Sequence, residues 1–289
     1  MGTDRVAGDD APGDTFVRGV LPMTRAGAWS VMPYAERDAA SNLAETERLL
    51  AAVAAGQIGP TLRWYGYTGR AVIIGVGQAS DTIANDLEAR SFAIVRRLSG
   101  GAAVLADREL LALDAFLPVP SPLAGTDVVA SYRWFGEAWA SAVATVGGSR
   151  AIGGLRVITV AEARHDRDAL RSSTIDVGTR VREATCFATL SPFEVAWQPP
   201  GTTARKLVGL SQVRRRGVAL LQAGLHWRFD AATMATLVGG RETVDEGAAT
   251  LARHVADLTD VGVGPASRDA ILAAFETAAT WAIEASAGP

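Results

Sequence analysis

The chain has 289 residues, of which 48% are hydrophobic and 20% charged, a balance that excludes a disordered or fibrous protein. A formal net charge of −3 excludes a generally basic nucleic-acid-binding surface, and the single cysteine excludes an internal disulfide and a cysteine-built zinc site. No run reaches the roughly 20 apolar residues that cross a membrane, and the polar segment 1–14 lacks the apolar core of a signal peptide. We therefore expect a cytoplasmic protein with neither nucleic-acid nor membrane partners.

The first part of the chain predicts one long helix followed by several strands. Residues 35–55 should form a helix, because Leu43, Leu50 and Val53 recur near the helical period and Gly56 follows. Short apolar runs between turn residues predict strands at Thr61–Tyr67, 71–76, 93–95 and 109–117, and a helix at 81–91 that begins at Asp81.

The clearest helix is predicted at 128–146, where apolar side chains recur every three or four residues. These side chains are Tyr132, Phe135, Trp139, Val143 and Val146, and we expect them in the core. The polar segment 164–176 is expected to be a mobile loop. Further strands are predicted at 187–190, 193–197, 207–210 and 218–227. Mostly helical structure is predicted from 231 onward, with Ile271, Leu272, Phe275 and Trp281 on one face.

This mixture of strands and helices predicts an α+β (mixed α/β) fold, in which mixed sheets are flanked by helices and followed by a helical C-terminal section. We expect a flexible tail at 1–15, a main domain at 16–230, and a helical section at 231–289 packed on that same domain. The sequence contains no internal repeat and no composition shift typical of a linker.

Lys206 is the single lysine among 28 basic residues, and all the others are arginines. Arginine is broad, planar and permanently charged, whereas lysine is compact and can lose its proton. Lys206 is therefore a candidate for a role that arginine cannot fill. On composition alone, an ordinary surface position is the alternative.

A predicted strand runs into two arginines and a glycine turn at 96–104. Glycines let the backbone turn tightly and bring its N–H groups close to an anion. The adjacent Arg96 and Arg97 add forked donors suited to a phosphate or a carboxylate. The combination indicates an anion-binding loop, and a structural turn with a solvated arginine pair is the other interpretation.

Cys186 precedes the lone lysine by a short distance. A lone cysteine is usually an inert buried residue, but a neighbouring ammonium would favour its nucleophilic thiolate. The basic run 214–216 is typical of a solvated hairpin tip, with docking of an acidic partner as a secondary role. The three histidines, His165, His226 and His254, show no metal-ligand spacing, so no metal site is expected from side-chain motifs.

Together these segments resemble the lipoate–protein ligase A and octanoyltransferase family, which is related to the biotin ligase catalytic domain. Residues 96–104 are similar to the family's RRxSGGGAV loop, 205–209 to its lysine motif, and 62–78 to an early strand pair that ends in a glutamine. The resemblance covers roughly 35–227. It implies that 16–230 is a biotin/lipoate-ligase-like catalytic domain.

Members of this family attach a lipoyl or octanoyl group to one lysine of a lipoyl domain, in 2-oxoacid dehydrogenases or the glycine cleavage H protein. Ligases first use ATP and Mg²⁺ to convert lipoate or octanoate into an acyl-adenylate. The resemblance implies that Lys206 is catalytic and contacts the acyl carbonyl and the phosphate. The residues that it implies for acyl-adenylate binding are Arg96, Ser99, Gly100, Gly101, Ala102, Ala103 and Gly209.

One octanoyltransferase branch works without ATP. It takes the acyl group from acyl carrier protein as a thioester on a cysteine, within a CFxxxSxxE-like segment. Cys186, Ser191 and Glu194 resemble that segment, so Cys186 would be the nucleophile in this branch. Relative to that branch, the segment 198–201 resembles an insertion within a hairpin, which lengthens the spacing between Cys186 and Lys206.

The chain departs from the family pattern at two positions. Ala102 stands in place of the third glycine, and Ala106 stands where a histidine often precedes the aspartate, here Asp107. We place ATP-dependent lipoate ligation first and thioester octanoyl transfer second. A non-catalytic paralogue that binds acyl groups or lipoyl domains is the third hypothesis, motivated by the missing histidine.

Overall fold

The computed structural model describes residues 24–26, 28–80, 83, 92–239 and 243–286. The predicted tail at 1–15 lies outside these residues, as does the predicted helix at 81–91 apart from Ile83. Within the described ranges, no helix is both long enough and apolar enough to cross a membrane.

Two sheets form the framework of the described residues. Their strands are β1 (Thr24–Ala26), β2 (Trp29–Arg37), β3 (Thr61–Tyr67), β4 (Ala71–Ile74), β5 (Ala93–Arg96), β6 (Val104–Ala106), β7 (Leu110–Pro118), β8 (Leu155–Val157), β9 (Val195–Trp197), β10 (Arg205–Arg215) and β11 (Val218–His226). The large sheet has the order β1-β2-β3-β7-β11-β10-β9-β8 and is antiparallel except between β2 and β3. In the small sheet, β4 pairs with β5 in parallel and with β6 in antiparallel.

Helices cover both faces of the large sheet. They are α1 (Ala39–Ala54), α2 (Arg133–Ile152), α3 (Val160–Ser172), α4 (Val177–Ala184), α5 (Ala231–Gly239), α6 (Val244–His254) and α7 (Arg268–Ser286). Because successive strand residues point to opposite faces, Ala115 and Leu117 of β7 join the core under α2 and α7, whereas Phe116 joins the core under α1. The predicted α+β fold with flanking helices is confirmed.

The predicted apolar stripe of α2 lies in the main core. Phe135, Trp139 and Val143 are fully buried, and Tyr132 and Val146 pack at the edge of the same cluster. Trp139 lies with its ring centroid 4.7 Å from that of Phe275 on α7. Helix α7 therefore closes the face of the sheet that α2 covers.

The small sheet builds a second core with the helices after residue 177. Ile74 and Leu105 from this sheet are buried in one cluster with Val181 of α4, Met234 of α5 and Leu251 of α6. This packing holds the loop between β5 and β6 next to the segment that follows α4. The candidate site lies at that junction.

The prediction of a mobile loop at 164–176 is wrong, because most of this segment belongs to helix α3. A capping box begins this helix: the Thr159 side chain accepts from the Glu162 N–H, and the Glu162 carboxylate accepts from the Thr159 N–H. Ala163 and Leu170 are the helix residues that are buried. Alanines and arginines supply the helix propensity that the low hydrophobicity of the segment concealed.

Several other boundaries differ from the predictions. Residues 35–37 belong to β2, and α1 begins only after Asp38, whose carboxylate accepts from the Ser41 N–H. The segment predicted as a strand at 187–190 begins in a 3-10 turn, Cys186–Ala188, and does not pair as a strand. Trp281 is 70% exposed and does not share the buried face of Ile271 and Phe275.

The hairpin of β10 and β11 confirms the predicted basic tip. Arg215 pairs with Val218, so Arg216 and Gly217 form a two-residue turn in which both have positive φ. Arg215 and Arg216 are exposed, and Arg214 is half-buried. The docking of an acidic partner at this tip stays a prediction.

Candidate active site

A cavity of about 100 Å³ lies where the large and small sheets meet. Most of its wall is apolar and comes from both sheets and from α1. The apolar residues include Leu43, Ile73, Val95, Val104, Leu110 and Phe187. Gly209 also lines it, and a side chain there would press on the Phe187 ring, because its Cβ would lie 3.3 Å from Cζ. Gly209 thus keeps the space beside Phe187 open.

Cys186 lines this cavity and is joined by its backbone to the end of the glycine loop. The Cys186 N–H donates to the carbonyl of Ala103 at 2.9 Å, and the Ala103 N–H donates to the carbonyl of Ala184 at 3.0 Å. Gly101 has φ +99°, and a Cβ there would lie 3.5 Å from the Cys186 sulfur. The structure therefore brings together the two segments that the sequence singled out, the glycine loop and the cysteine.

The two arginines of the loop face different surroundings. Arg96 is exposed and donates to the carbonyls of Gly75 at 2.8 Å and Gln78 at 2.7 Å. These hydrogen bonds stabilise the backbone that follows β4. Arg97 lines the cavity, and its Nη2 lies 3.9 Å from the Cys186 sulfur. Of the pair, the structure brings Arg97, and not the predicted Arg96, to the cavity.

The glycine loop contains backbone donors that are not used within the described part of the protein. Within the described residues, the N–H groups of Gly100, Gly101 and Ala102 make no hydrogen bond to a protein acceptor. These three residues also line an open groove of about 750 Å³, together with Arg180 and Glu183. Such a row of free amides can hold an oxyanion or another negatively charged oxygen.

Ser99 connects the loop to a buried polar network under the cavity. Its hydroxyl lies 3.0 Å from the Ser211 hydroxyl and donates to Gln222 Oε1 at 3.0 Å. Gln222 Nε2 donates to Asp114 at 2.9 Å, and Asp114 is fully buried in β7. Sequence reasoning missed Asp114, although a carboxylate inside the apolar run 110–118 was a signal for a buried polar contact.

Asp114 is satisfied on both oxygens. Its Oδ1 also accepts from the Tyr65 hydroxyl at 3.1 Å, and its Oδ2 accepts from the Thr46 hydroxyl at 2.6 Å and from Arg63 at 3.3 Å. Burial and the nearby Asp114 carboxylate raise the pKa of Tyr65 well above its ordinary value. Tyr65 therefore serves as a neutral donor, and the network forms a rigid floor under the cavity.

Lys206 lies directly behind Cys186 and is 1% exposed. Its ammonium donates to the Cys186 carbonyl at 2.7 Å and contacts the two oxygens of Glu194 at 2.8 and 2.7 Å. Glu194 also accepts from the N–H groups of Ser191 and Leu210. Burial raises the pKa of Glu194, and Lys206 opposes that rise. Lys206 is not among the described residues that line the cavity.

His226 lies apart from the other two histidines. His226 is buried against Phe187, with ring centroids 4.8 Å apart, and His165 and His254 line a separate groove beside α3. In the described part of the chain, no three His, Cys, Asp or Glu side chains come together in a way that could hold a metal ion.

Comparisons with known proteins agree on one family. Residues 38–280 match the model of the lipoyl protein ligase A/B catalytic domain. The octanoyltransferase LipM of Exiguobacterium sp. strain AT1b is 30% identical over 252 residues, which are 86% of this chain and 84% of that protein. The octanoyltransferase LipM of Kyrpidia tusciae is 29% identical over 247 residues, or 84% of this chain and 82% of that protein.

Solved structures show the same fold. A bi-partite lipoate protein ligase of Thermoplasma acidophilum, studied with its E2 lipoyl domain, has a TM-score of 0.62 at 19% identity and covers 88% of this chain and 83% of its own. A lipoate–protein ligase A bound with ATP has a TM-score of 0.55 at 18% identity, covering 88% and 85%. With a matching family model over most of its length, the chain belongs to the lipoyl protein ligase A/B catalytic domain family.

Proposed function

We propose that this enzyme transfers an octanoyl group from acyl carrier protein to a lysine of a lipoyl domain, through a thioester on Cys186. The observation that carries the proposal is the position of Cys186, which lines an apolar cavity with its sulfur against the glycine loop and Arg97. The similarity to two octanoyltransferases over more than four fifths of the chain supports it.

The reaction has two acyl-transfer steps that need no oxidant. In the first, the Cys186 thiolate attacks the donor thioester; the new C–S bond forms, the donor C–S bond breaks, and the carrier thiolate leaves and takes up a proton. In the second, the neutral amine of the target lysine attacks the Cys186 thioester. The C–N bond forms, the Cys186 C–S bond breaks, and the amine proton is released to solvent.

Each step passes through a tetrahedral oxyanion. The N–H groups of Gly100, Gly101 and Ala102 belong to the loop whose end, Ala103, is hydrogen-bonded to the Cys186 backbone. They are the donors that we assign to this oxyanion, because amides fixed in place stabilise developing charge without reorganising. The apolar wall around Phe187 takes the hydrocarbon chain.

ATP-dependent ligation is the alternative that the sequence placed first. Arg180 is the only cation among the described residues that line the groove outside the loop, and it lies in the same groove as the Glu183 carboxylate. These residues offer a triphosphate little compensating charge, so the groove does not fit a nucleotide well. The curated relatives are octanoyltransferases, and they support the thioester route over ligation. No step of our proposal uses a nucleotide or a metal ion.

Mass spectrometry of an apo lipoyl domain tests the proposal. The domain is incubated with the enzyme and either octanoyl carrier protein or lipoate with ATP. We expect octanoylation from the carrier protein, its loss in Cys186→Ala, and its retention in Thr145→Ala, an exposed threonine of α2. Modification by lipoate and ATP that survives Cys186→Ala would establish ligation instead. No modification under either condition would favour a non-catalytic binding protein.

A further inference from the structure

We propose that Arg97, and not Lys206, supplies the positive charge that stabilises the Cys186 thiolate, while Lys206 and Glu194 position the cysteine backbone. The sequence suggested the opposite, since the lone lysine follows Cys186 closely. The inference rests on the proposed function for its catalytic meaning. The placement of the charges is independent of which acyl donor the enzyme uses.

The guanidinium of Arg97 is held firmly against the sulfur. It donates to the carbonyl of Gly100 from Nε at 3.1 Å and from Nη2 at 2.8 Å, and Nη2 also donates to the carbonyl of Ala102 at 2.9 Å. Nη1 donates to the carbonyl of Ile73 at 3.3 Å. Four bonds to neutral carbonyls fix the planar group with Nη2 3.9 Å from the Cys186 sulfur.

The charge of Arg97 is not cancelled by a carboxylate. Among the ion pairs of the described residues, none involves Arg97. Its carbonyl partners are dipoles and leave the net charge of +1 in place. A guanidinium half-buried at the cavity wall is screened less than one in bulk water, so its charge acts on the adjacent thiolate.

The charge of Lys206 is cancelled at close range. Glu194 contacts the ammonium through both carboxylate oxygens, and each of the two side chains is 1% exposed. An ammonium has three N–H donors, and these contacts together with the Cys186 carbonyl account for all three. The thiolate therefore faces a neutral ion pair behind it and an uncompensated cation beside it.

This arrangement serves both acyl-transfer steps. Arg97 favours the thiolate as the nucleophile in the first step and as the leaving group in the second. Lys206 fixes the Cys186 carbonyl, and with it the direction in which the sulfur points. Lys206 is then a positioning residue, whereas Arg97 touches the reacting atom and is a catalytic residue.

Alkylation of Cys186 with iodoacetamide tests this division, because the chain has a single cysteine and the measurement needs no acyl donor. At pH 7 we expect Arg97→Gln to react about tenfold more slowly than the wild type, Arg97→Lys to recover most of the rate, and the exposed Arg215→Gln to react normally. The double variant Lys206→Met/Glu194→Gln should lose less of the alkylation rate at pH 7 than Arg97→Gln does, and its loss should persist at high pH, because it removes a neutral pair that positions the cysteine and leaves the charge beside the sulfur in place.

At high pH, where every thiol is ionised, the rates of Arg97→Gln and the wild type should converge. A difference in alkylation rate that persists at high pH would mean that Arg97 controls the access of the reagent to Cys186 and does not act through its charge. That result would overturn the proposal. A wild-type alkylation rate in Arg97→Gln at pH 7 would also overturn the proposal. A loss of alkylation rate at pH 7 in the double variant as large as that in Arg97→Gln would do the same. If octanoyl transfer is absent but these alkylation rates follow the expectation, the proposed function fails and the assignment of the charge stands.

A measurement on the unmodified enzyme covers the case in which Arg97→Gln does not fold. An uncompensated guanidinium attracts the anionic reagent iodoacetate relative to neutral iodoacetamide. We expect the ratio of the two rates to be several times that for free cysteine, and to fall as salt is added. A ratio equal to that of free cysteine at low salt would contradict the proposal.

Discussion

At the scale of single residues, Lys206 and Glu194 form a buried ion pair behind the cavity. Both groups are removed from water, so each depends on the other for compensation. Lysine suits this place because its compact ammonium reaches the Cys186 carbonyl and the carboxylate at once. The sequence identified Lys206 from its uniqueness. It could not show that Glu194 would neutralise it, because the pairing depends on the fold.

We predict that Lys206→Met lowers the free energy of unfolding by about 3–5 kcal/mol, since it leaves the Glu194 carboxylate buried without a partner. Lys206→Met/Glu194→Gln should recover much of that loss, because no charge is then left buried. Urea denaturation of the three proteins measures both effects. Equal destabilisation in the single and double variants would show that the pair is not a unit.

A buried histidine makes stability depend on pH. Burial lowers the pKa of His226 below its ordinary value of 6.5, and its Nδ1 has no partner within the described residues. As pH falls below 6.5, the unfolded chain therefore takes up a proton that the folded protein does not, and stability falls by up to about 1.4 kcal/mol per pH unit.

Denaturation of His226→Gln between pH 7 and about pH 5 tests this coupling. The variant should lose less stability than the wild type over this range, whatever its stability at pH 7. His165→Gln removes an exposed histidine and serves as the control. An unchanged slope in His226→Gln would contradict the assignment of the proton to that residue.

Whole elements were predictable where a strong local signal existed. The strand Thr61–Tyr67 has the predicted bounds, and the hairpin of β10 and β11 follows from its apolar runs and basic turn. Strands β6 and β8, of three residues each, were missed because their pairing partners are distant in sequence. Helix α3 was missed although Thr159 and Glu162 have the capping-box spacing.

The N-cap of α3 provides a test at this scale. Thr159→Ala should lower the free energy of unfolding by about 1 kcal/mol, because the Glu162 N–H loses its acceptor. Thr145→Ala, inside α2, is the matched control and should be neutral or slightly stabilising, since alanine is the better helix former. Denaturation measures both, and faster hydrogen exchange in α3 of Thr159→Ala would locate the effect. A loss in Thr145→Ala as large as in Thr159→Ala would contradict the capping role.

The whole molecule is held together by contacts between distant parts of the chain. The Trp29 indole donates to the carbonyl of Ala279, and the Trp64 indole donates to Glu276 at 2.9 Å. Helix α7 thus closes over the first strands of the large sheet. The sequence indicated an apolar face on this helix but not its partners. The division at residue 231 stays a prediction.

Phe275 is the side chain on which this closure depends most. Its ring contacts those of Trp64, Phe135 and Trp139. We predict that Phe275→Ala lowers the free energy of unfolding by about 3–5 kcal/mol, by loss of burial and creation of a cavity. Trp281→Ala on the same helix should change it by less than about 0.5 kcal/mol, because that ring is 70% exposed. Similar effects of the two substitutions on chemical denaturation would contradict this packing.

The central claim is that Cys186 carries the acyl group between donor and acceptor. The most direct measurement is the mass of the enzyme after incubation with octanoyl carrier protein in the absence of any lipoyl domain. We predict one added octanoyl group, located on the peptide that contains Cys186, removed by neutral hydroxylamine, and passed on when the lipoyl domain is added. An enzyme that modifies the lipoyl domain from the same donor, yet never holds an octanoyl group on Cys186, would contradict the account.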